Sequence, residues 1–430
     1  MPIQGTTPQS VSDKATRQRF VIVAVLFVGI MVTYLDRVNV SVLAASNSFL
    51  LDMSIKGQPM KVGMMMSVFL AVYGVATLIL SPLGDYFGPR KVAAIALALC
   101  CVSLVIGGAA TGFAVLIASR VLLGIGEAVH YPMQNLFVAN WFPPQERGRA
   151  NATWVIGQSL APAIAMPLFT YVIGTFGWRQ SFHMATGLTL IPLYLFWFHT
   201  TDTPRGNRRV NARELQHIEG GVTQKQEGGV PVAEEPLWQR LRPFVLNYRY
   251  WLLVYWQISM AFMYWGMVAW LPSYLRSARG FSWAQMGWLA SLPFVLAATF
   301  KVFTGWINDR MGRSAPILTL ALSLGGLGIY FAAIVPGKYA SALLLACAFA
   351  TTLMATSVAW TLLQGLVPRK SLATAGGVLI GVSQGVASLS PALMGLVIDL
   401  TGRYEGGLFL IAGAGVIAAA ATTILVFQKY

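Results

Sequence analysis

Two short stretches decide how this chain folds: Gly84-Asp85-Tyr86-Phe87-Gly88-Pro89-Arg90-Lys91 and Asn308-Asp309-Arg310-Met311-Gly312-Arg313. Each follows a long apolar segment, and each combines an Asp, a Gly and basic residues. A short loop of this kind can lock two helix ends, because an Asp caps a helix N-terminus and cations favour a helix C-terminus. The doubled pattern predicts two similar halves.

The composition places most of the chain in lipid. Of its 430 residues, 56% are hydrophobic and only 10% are charged, whereas soluble domains carry about 25% charged residues. A transmembrane helix needs about 20 apolar residues to cross about 30 Å of hydrocarbon. The sequence therefore predicts an all-α membrane protein of twelve spans. These are expected near 20–45, 62–82, 91–109, 113–135, 151–173, 181–199, 250–271, 284–305, 315–335, 339–361, 372–397 and 407–427.

One sequence offset recurs along the chain. Six pairs of identical residues at matching points of the two halves stand 224 positions apart: Asp85 and Asp309, Gly88 and Gly312, Pro144 and Pro368, Gly157 and Gly381, Ser159 and Ser383, and Pro167 and Pro391. Chance supplies one or two such matches, but six at one offset indicate a duplication. Six spans in each half keep the two repeats parallel, an arrangement in which solute sites lie between the halves near the membrane midplane.

A single long polar segment, residues 200–247, separates the two halves. Its charged residues are mixed with Gly and Pro, which predicts a linker that is partly an amphipathic helix and partly disordered. The predicted organisation is a cytoplasmic tail (1–19), a six-helix bundle (20–199), a cytoplasmic linker (200–249) and a second six-helix bundle (250–430).

The first apolar segment has two interpretations. Lys14, Arg17 and Arg19 precede the apolar run 20–34, a pattern that also occurs in secretory signal peptides. We favour a first transmembrane helix, because the run continues to residue 45 and many spans follow it.

The positive charge indicates orientation rather than nucleic-acid binding. The net charge is +15, but a nucleic-acid binder gathers its basic residues into patches. Here 20 of the 30 Lys and Arg residues fall on one side of the predicted membrane and 7 on the other. This bias predicts that both termini lie in the cytoplasm.

No pattern for a metal, nucleotide or covalent catalytic site occurs. The three cysteines, Cys100, Cys101 and Cys347, lie within apolar runs and are interpreted as packing residues. The sequence contains no P-loop, no HExxH and no CxxC pattern. We therefore expect no cofactor and no metal, and a protein that is not an enzyme.

The doubled loop resembles the signature loop of the major facilitator superfamily, and this resemblance covers nearly the whole chain. It implies the two-bundle fold of that family, in which the loops hold one gate closed until the halves rock. The gating residues implied on each loop are Asp85 and Arg90, and Asp309 and Arg313.

A second set of motifs is narrower: residues 34–39 in the first span, 120–132 in the fourth, 140–150 after it, and 270–275 at the end of the seventh. Together these resemble the anion:cation symporter branch of the superfamily. That branch includes bacterial galactonate, glucarate and hexuronate transporters and the sialin-like organic anion carriers of animals.

Four charged residues lie within these spans: Asp36, Arg37, Arg120 and Glu127. Each costs about 2.5–3.5 kcal/mol at the centre of a membrane helix, so such residues face an internal cavity and are functional by default. Arg120 and Glu127 are seven residues apart and lie on one face of their helix. A guanidinium suits a carboxylate ligand because its planar fork pairs with both oxygens.

The resemblance implies a role for each charged residue. Arg37 would bind the carboxylate of the solute, Asp36 and Glu127 would carry protons, and Arg120 would be their partner within the membrane. The alternative is a static salt-bridge cluster that orients the helices.

Weaker candidates surround this group. His130 lies three residues after Glu127 and can relay protons, although a buried structural histidine fits equally well. The resemblance also places six polar or aromatic residues at the cavity: Tyr34, Tyr73, Gln158, Trp360, Ser383 and Gln384.

One departure concerns the solute. Sugar-acid carriers tend to place an Asn in a Gly-Gly-x-x-Asn stretch of the eleventh span, where this chain reads Gly376-Gly377-Val378-Leu379-Ile380. The second half is aromatic there, which leaves room for an aromatic or short aliphatic carboxylate.

The sequence therefore predicts a proton-coupled symporter that imports a small organic anion, a sugar acid or another monocarboxylate, by alternating access. Its partners would be that anion, protons and membrane lipid, and it would act as a monomer in a bacterial inner membrane. The first alternative is a proton-driven antiporter that exports metabolites or drugs. A second, a transporter-like sensor, is disfavoured because residues 200–247 are too short for a signalling domain.

Overall fold

The computed structural model describes residues 15–226, 237–368 and 371–428; within these ranges the side chains of residues 221–226, 237–240, 309 and 373 are not described. Twelve of its helices are long and apolar enough to cross a membrane. They are α1 (Gln18–Leu43), α2 (Pro59–Leu80), α3 (Pro89–Gly108), α4 (Phe113–Trp141), α5 (Arg147–Phe176), α6 (Trp178–His199), α7 (Tyr248–Ala278), α8 (Trp283–Asn308), α9 (Ala315–Ile334), α10 (Lys338–Leu366), α11 (Thr374–Thr401) and α12 (Tyr404–Phe427). The prediction of an all-α protein with twelve spans is confirmed.

Several helices extend beyond the predicted spans. The prediction for α4 stopped at residue 135, but the helix continues to Trp141, and α5 begins at Arg147 rather than at residue 151. Hydropathy identifies the part of a helix that lies in hydrocarbon, whereas the helix itself continues into the polar surface layer. Shorter helices connect the spans: Asn47–Asp52, Leu83–Phe87, Ala212–Gln226 and Leu237–Val245, with a 3₁₀ turn at Pro204–Gly206.

The two halves repeat one packing arrangement. In the first half, α1 packs on α5, α2 on α4, and α3 on both α4 and α6. In the second half, α7 packs on α11, α8 on α10, and α9 on both α10 and α12. Adding six to each helix number converts the first set of contacts into the second. Gly88 and Gly312 both have a positive φ, +84° and +62°, which favours glycine at both turns.

The halves are in contact on one side of the molecule. Segment 200–247 joins the end of α6 to the start of α7, and we call this side the linker side and the opposite one the distal side. On the distal side α2 packs on α11 and α5 packs on α8. The Trp283 indole donates to the Thr170 carbonyl (2.6 Å), and the Met60 N–H donates to Asp399 Oδ2 (2.8 Å). Within the described part of the chain, every recorded hydrogen bond between the halves lies on this distal side.

Glycines permit this distal contact. A Cβ at Gly63 on α2 would overlap the Pro391 carbonyl oxygen on α11, and a Cβ at Gly287 on α8 would lie 2.6 Å from Thr170 Oγ1 on α5. Gly63 and Gly287 are again 224 residues apart. The duplication has therefore placed one close-approach position in each half.

The helix Ala212–Gln226 is attached to the first half. Glu214 is fully buried and accepts hydrogen bonds from the backbone N–H groups of Gln18 and Arg19 (both 3.1 Å). These are unpaired donors at the start of α1, so Glu214 caps that helix from another segment. Arg19 also pairs with Glu146 (3.2 Å), which contacts His217 at 2.8 Å.

Candidate functional site

A buried ion pair joins α1 to α4. Arg37 Nε donates to Glu127 Oε2 at 2.5 Å, and the two side chains are 3% and 0% exposed. α4 is interrupted at Val129, directly after this position. Pro132 causes the interruption because it lacks the N–H that would bind the Ala128 carbonyl. That carbonyl instead accepts a hydrogen bond from the Thr77 hydroxyl at 3.0 Å.

Aromatic rings surround the Arg37 guanidinium. Its central carbon lies 4.5 Å from the ring centre of Tyr34, 4.6 Å from that of Tyr73 and 5.5 Å from that of Phe69. Only Nε has a recorded hydrogen bond, so both terminal Nη atoms have no partner among the described residues. A guanidinium held by one edge and by ring faces presents its remaining edge to a ligand.

A polar chain continues from this pocket to α5. The Tyr34 and Tyr131 hydroxyls are 3.2 Å apart, and the Tyr131 hydroxyl donates to Gln158 Oε1 at 2.5 Å. The sequence prediction included Tyr34, Tyr73 and Gln158 but missed Tyr131. Its position directly after His130, one helical turn beyond Glu127, was the available signal.

Asp36 is bound by a residue of α6. Its Oδ2 atom accepts a hydrogen bond from the Thr189 hydroxyl of α6 at 3.1 Å. Arg120 lies near the Phe182 ring (5.5 Å) and has no ion pair within 4 Å in the described part of the chain. In this conformation the cation bonded to Glu127 is Arg37, and not Arg120 as the resemblance implied.

His130 is buried among apolar groups. It is 2% exposed, lies 6.0 Å from the Phe196 ring, and its Nε2 has no hydrogen-bond partner among the described residues. It packs beside Gly29 on α1. His130 therefore lies between Gly29 of α1 and Phe196 of α6, and no recorded hydrogen bond joins it to the Arg37–Glu127 pair.

The second half contributes few free polar groups. Gln384 Oε1 accepts a hydrogen bond from the Trp265 indole (2.8 Å), and the buried Ser383 hydroxyl donates to the Ile380 carbonyl of its own helix (3.0 Å). Tyr264 stacks on Phe349, with ring centroids 5.8 Å apart. Trp265, Tyr264 and Phe349 make this part of the second half aromatic.

Trp360 is not grouped with these residues. It lies in the last part of α10, packs against Gly376 near the start of α11, and is 44% exposed. Both positions are close to the linker-side ends of their helices. Trp360 thus lies between the candidate site and the linker side.

The first signature loop is held by a residue outside the motif. Asp202, just after α6, accepts a hydrogen bond from the backbone N–H of Arg90 (2.8 Å) and so caps α3. The Arg90 guanidinium donates to the Trp197 carbonyl near the end of α6 (3.0 Å). The expectation that Asp85 caps a neighbouring helix is wrong for this conformation. Asp85 is exposed, and its side chain has no recorded hydrogen bond within the described ranges.

The second signature loop offers less contact. Arg313 is exposed and has no recorded hydrogen bond or ion pair in the described ranges. The side chain of Asp309 lies outside the described residues. Its neighbour Arg310 lies 3.7 Å above the Trp306 ring.

The sequence profile of the Major Facilitator Superfamily matches residues 26–391. A Cupriavidus necator protein named as a probable sulfoacetate transporter is 29% identical over 93% of this chain and 91% of its own length. The D-galactonate transporter of Escherichia coli is 27% identical over 91% of this chain and 90% of its own.

A solved structure shares the fold. A bacterial homologue of the human lysosomal transporter Spinster, crystallised in an inward-facing and occupied conformation, superposes with a TM-score of 0.76. The superposition covers 97% of this chain and 98% of that chain at 16% identity, so the likeness concerns the fold alone.

These findings confirm three predictions: the superfamily resemblance, the likeness to its anion-carrying branch, and a transporter rather than an enzyme. The profile match spans most of the chain, and the twelve helices form two six-helix halves of one arrangement. This membrane transporter therefore belongs to the Major Facilitator Superfamily.

Proposed function

We propose that this transporter imports a small organic anion together with protons by alternating access. The buried Arg37–Glu127 ion pair is the observation that carries the proposal. It combines a cation with unoccupied Nη atoms, which suits a carboxylate or sulfonate, and an acid that can take up a proton.

Competition for Arg37 would couple the two solutes. A protonated Glu127 no longer holds the guanidinium by charge, so the anion binds more readily. By linkage, the bound anion increases the proton affinity of Glu127 by the same factor. Asp36 would carry a second proton, with Arg120 balancing the charge of the two acids.

The relatives suggest the chemical class of the solute. Their names include sulfoacetate, galactarate or glucarate, galactonate and phosphoglycerate, all of which are organic anions. Tyr34, Tyr73, Tyr131 and Gln158 would contact the solute from the first half, and Gln384 from the second. Ser383 and Trp360 contribute less in this conformation. The Ser383 hydroxyl already donates to the Ile380 carbonyl, and the Trp360 side chain lies nearer the linker side.

The cellular arrangement belongs to the same proposal. The 20 basic residues of the tails, linker and linker-side loops favour a cytoplasmic linker side, against 7 in the distal loops. The closed distal side would then face outward, so this conformation opens to the cytoplasm. We place the transporter in a bacterial inner membrane as a monomer, with Asp85, Arg90, Asp309 and Arg313 acting in the gating loops.

The test is uptake into proteoliposomes under an inward proton gradient. The external panel would combine sulfoacetate, galactonate, glucarate and short aliphatic and aromatic carboxylates, with the lumen read by mass spectrometry. We expect one class of anion to accumulate, and a protonophore to abolish its accumulation. Arg37→Lys protein serves as the matched control, because it keeps the positive charge without the fork.

The antiporter alternative predicts a different result. An internal neutral or cationic compound would leave the vesicles as protons enter, and no anion would accumulate. That outcome would remove the assigned role of Arg37.

A further inference from the structure

Four buried residues on α1 and α4 carry six side-chain polar atoms without hydrogen-bond partners among the described residues, and we call the region of these four residues the α1–α4 chamber. The residues are Asp36, Asn39, Arg120 and Glu127, each at most 1% exposed. The atoms without hydrogen-bond partners among the described residues are Asp36 Oδ1, Glu127 Oε1, both Asn39 side-chain atoms, and Arg120 Nε and Nη2. Leaving such a group unpaired costs about 1–3 kcal/mol.

The carboxyl groups are arranged alike. Asp36 has Oδ2 bound by Thr189 and Oδ1 free, whereas Glu127 has Oε2 bound by Arg37 and Oε1 free. Each acid is thus fixed by one oxygen and leaves the other unoccupied. Thr189, which binds Asp36, and Phe182, whose ring centre lies 5.5 Å from Arg120, are seven residues apart on one face of α6. Asp36 also directly precedes Arg37, which binds Glu127. The two acids and Arg120 are therefore held by neighbouring contacts.

Asn39 completes the chamber. It lies three residues after Asp36 and therefore one turn further along the same face of α1. The neighbouring walls are apolar: Phe182 lies 5.5 Å from Arg120, and Cys100 packs against Gly126 on α4. A fully buried amide with no hydrogen-bond partner among the described residues is costly unless a small ligand binds it.

We propose that the α1–α4 chamber holds ordered water that connects the Asp36 and Glu127 carboxyl groups, and that Asn39 is the residue that positions it. The unpaired atoms comprise three N–H donors and three oxygen acceptors. A cation would satisfy only the oxygens and would be repelled by Arg120, and an anion would satisfy only the N–H groups. Water donates and accepts, so it alone serves both sets.

The consequence rests on the proposed function. If Asp36 and Glu127 carry protons, a water bridge lets a proton pass between them without contact of the side chains. Asn39 neither binds the transported anion nor carries a proton. It fixes the bridge, so its removal should affect coupling more than anion exchange.

The first experiment is structural and does not depend on transport. A cryo-EM or crystal structure of the full chain, at a resolution that shows ordered water, should contain density within hydrogen-bond distance of Asp36 Oδ1 and Glu127 Oε1. A chamber without density, or with density coordinated only by oxygens at Na⁺ distances, overturns the proposal even if proton symport is established.

The second experiment compares Asn39→Leu with Ser41→Ala in proteoliposomes. Ser41 is an equally buried, unpartnered hydroxyl on the same helix, but it faces a different direction. For Asn39→Leu we expect anion exchange without a gradient to stay within about twofold, and gradient-driven uptake to fall about tenfold, as for loss of one hydrogen bond to a charged group.

Ser41→Ala should leave both activities unchanged, and Asn39→Ser, which keeps a donor and an acceptor, should restore the coupled uptake. Equal loss of exchange and uptake in Asn39→Leu, or no change in either, overturns the positioning role. If Asn39→Leu fails to fold, the ratio of uptake to exchange in Asn39→Ser against Asn39→Ala decides the same question.

Discussion

The two halves share one helix arrangement but differ in the charge of their interiors. The first half buries Asp36, Arg37, Arg120 and Glu127, whereas Lys301 is the only charged residue of α7–α12 away from the helix ends. Duplication preserved the turns and close-approach glycines, which depend on backbone geometry, and did not preserve the buried charges. In our interpretation, the first half binds the anion and the protons, and the second half encloses the site and moves relative to the first half.

The largest test of this comparison is Arg37→Lys. We expect affinity for the transported anion to fall about 100-fold, because charge-assisted hydrogen bonds from a planar fork contribute about 1.5–3 kcal/mol each. Equilibrium binding to detergent-solubilised protein measures the change. The matched control in the second half is Gln384→Ala, for which we expect a loss of less than about tenfold. A larger effect of Gln384 than of Arg37 would reverse the assignment of the two halves.

Glu127→Gln separates coupling from binding. The amide keeps the shape of the side chain but takes up no proton, so the accumulation ratio under a proton gradient should fall to about one. Exchange of preloaded anion should persist. Glu405→Gln, at the start of α12, is the control and should accumulate the anion normally. Concentrative uptake by Glu127→Gln would remove the coupling from the first half.

The two halves have in common one close-approach glycine each, and both glycines can be tested by their effect on closure of the distal side. An added methyl at Gly63 meets the backbone of Pro391, which cannot rotate away, whereas at Gly287 it meets the Thr170 side chain. We therefore expect Gly63→Ala to reduce the distal-closed population about tenfold and Gly287→Ala to reduce it less. Distances between spin labels at the distal ends of α2 and α11 report the populations. Equal effects would mean that both contacts relax in the same way.

Which features of the fold and the site could be predicted from the sequence depends on the kind of interaction that produces them. Twelve spans and their duplication follow from local composition, and charged residues inside apolar runs are visible without a structure. Thr189, Tyr131 and Asn39 were missed because uncharged polar residues are common in membrane helices and only packing shows what they contact.

The same limit applies to two details of pairing. The resemblance implied Arg120 as the partner of the two acids, whereas in this conformation Arg37 is the cation bonded to Glu127. Asp202 rather than Asp85 caps α3, and nothing in the local pattern distinguishes the two carboxylates. Pairing between helices is a tertiary property that periodicity does not encode.

We expect the smallest effect from two groups of hydrogen bonds on the distal side, one around Asp52 and one around Arg279, which we call the first and second clamps. In the first half, Asp52 accepts hydrogen bonds from the Trp178 indole (2.8 Å) and from Arg179 (3.1 Å). In the second half, Arg279 donates to the Ala333 carbonyl (2.7 Å) and the Val335 carbonyl (2.9 Å), which do not titrate. The Trp178 hydrogen bond, and then Arg179, lower the pKa of Asp52 below its ordinary value.

A carboxyl group with a lowered pKa stabilises the fold above its unfolded pKa of about 3.9, and that contribution is lost as the pH falls through the folded value. Asp52→Asn should therefore lower the midpoint of thermal unfolding by about 1–2 °C at neutral pH, and the difference from wild type should shrink toward about pH 3. Arg279→Gln should lower the midpoint by an amount that stays constant over the same range. Differential scanning fluorimetry in detergent measures both variants. A pH-independent shift for Asp52→Asn would show that its hydrogen bonds, rather than its charge, hold the first clamp.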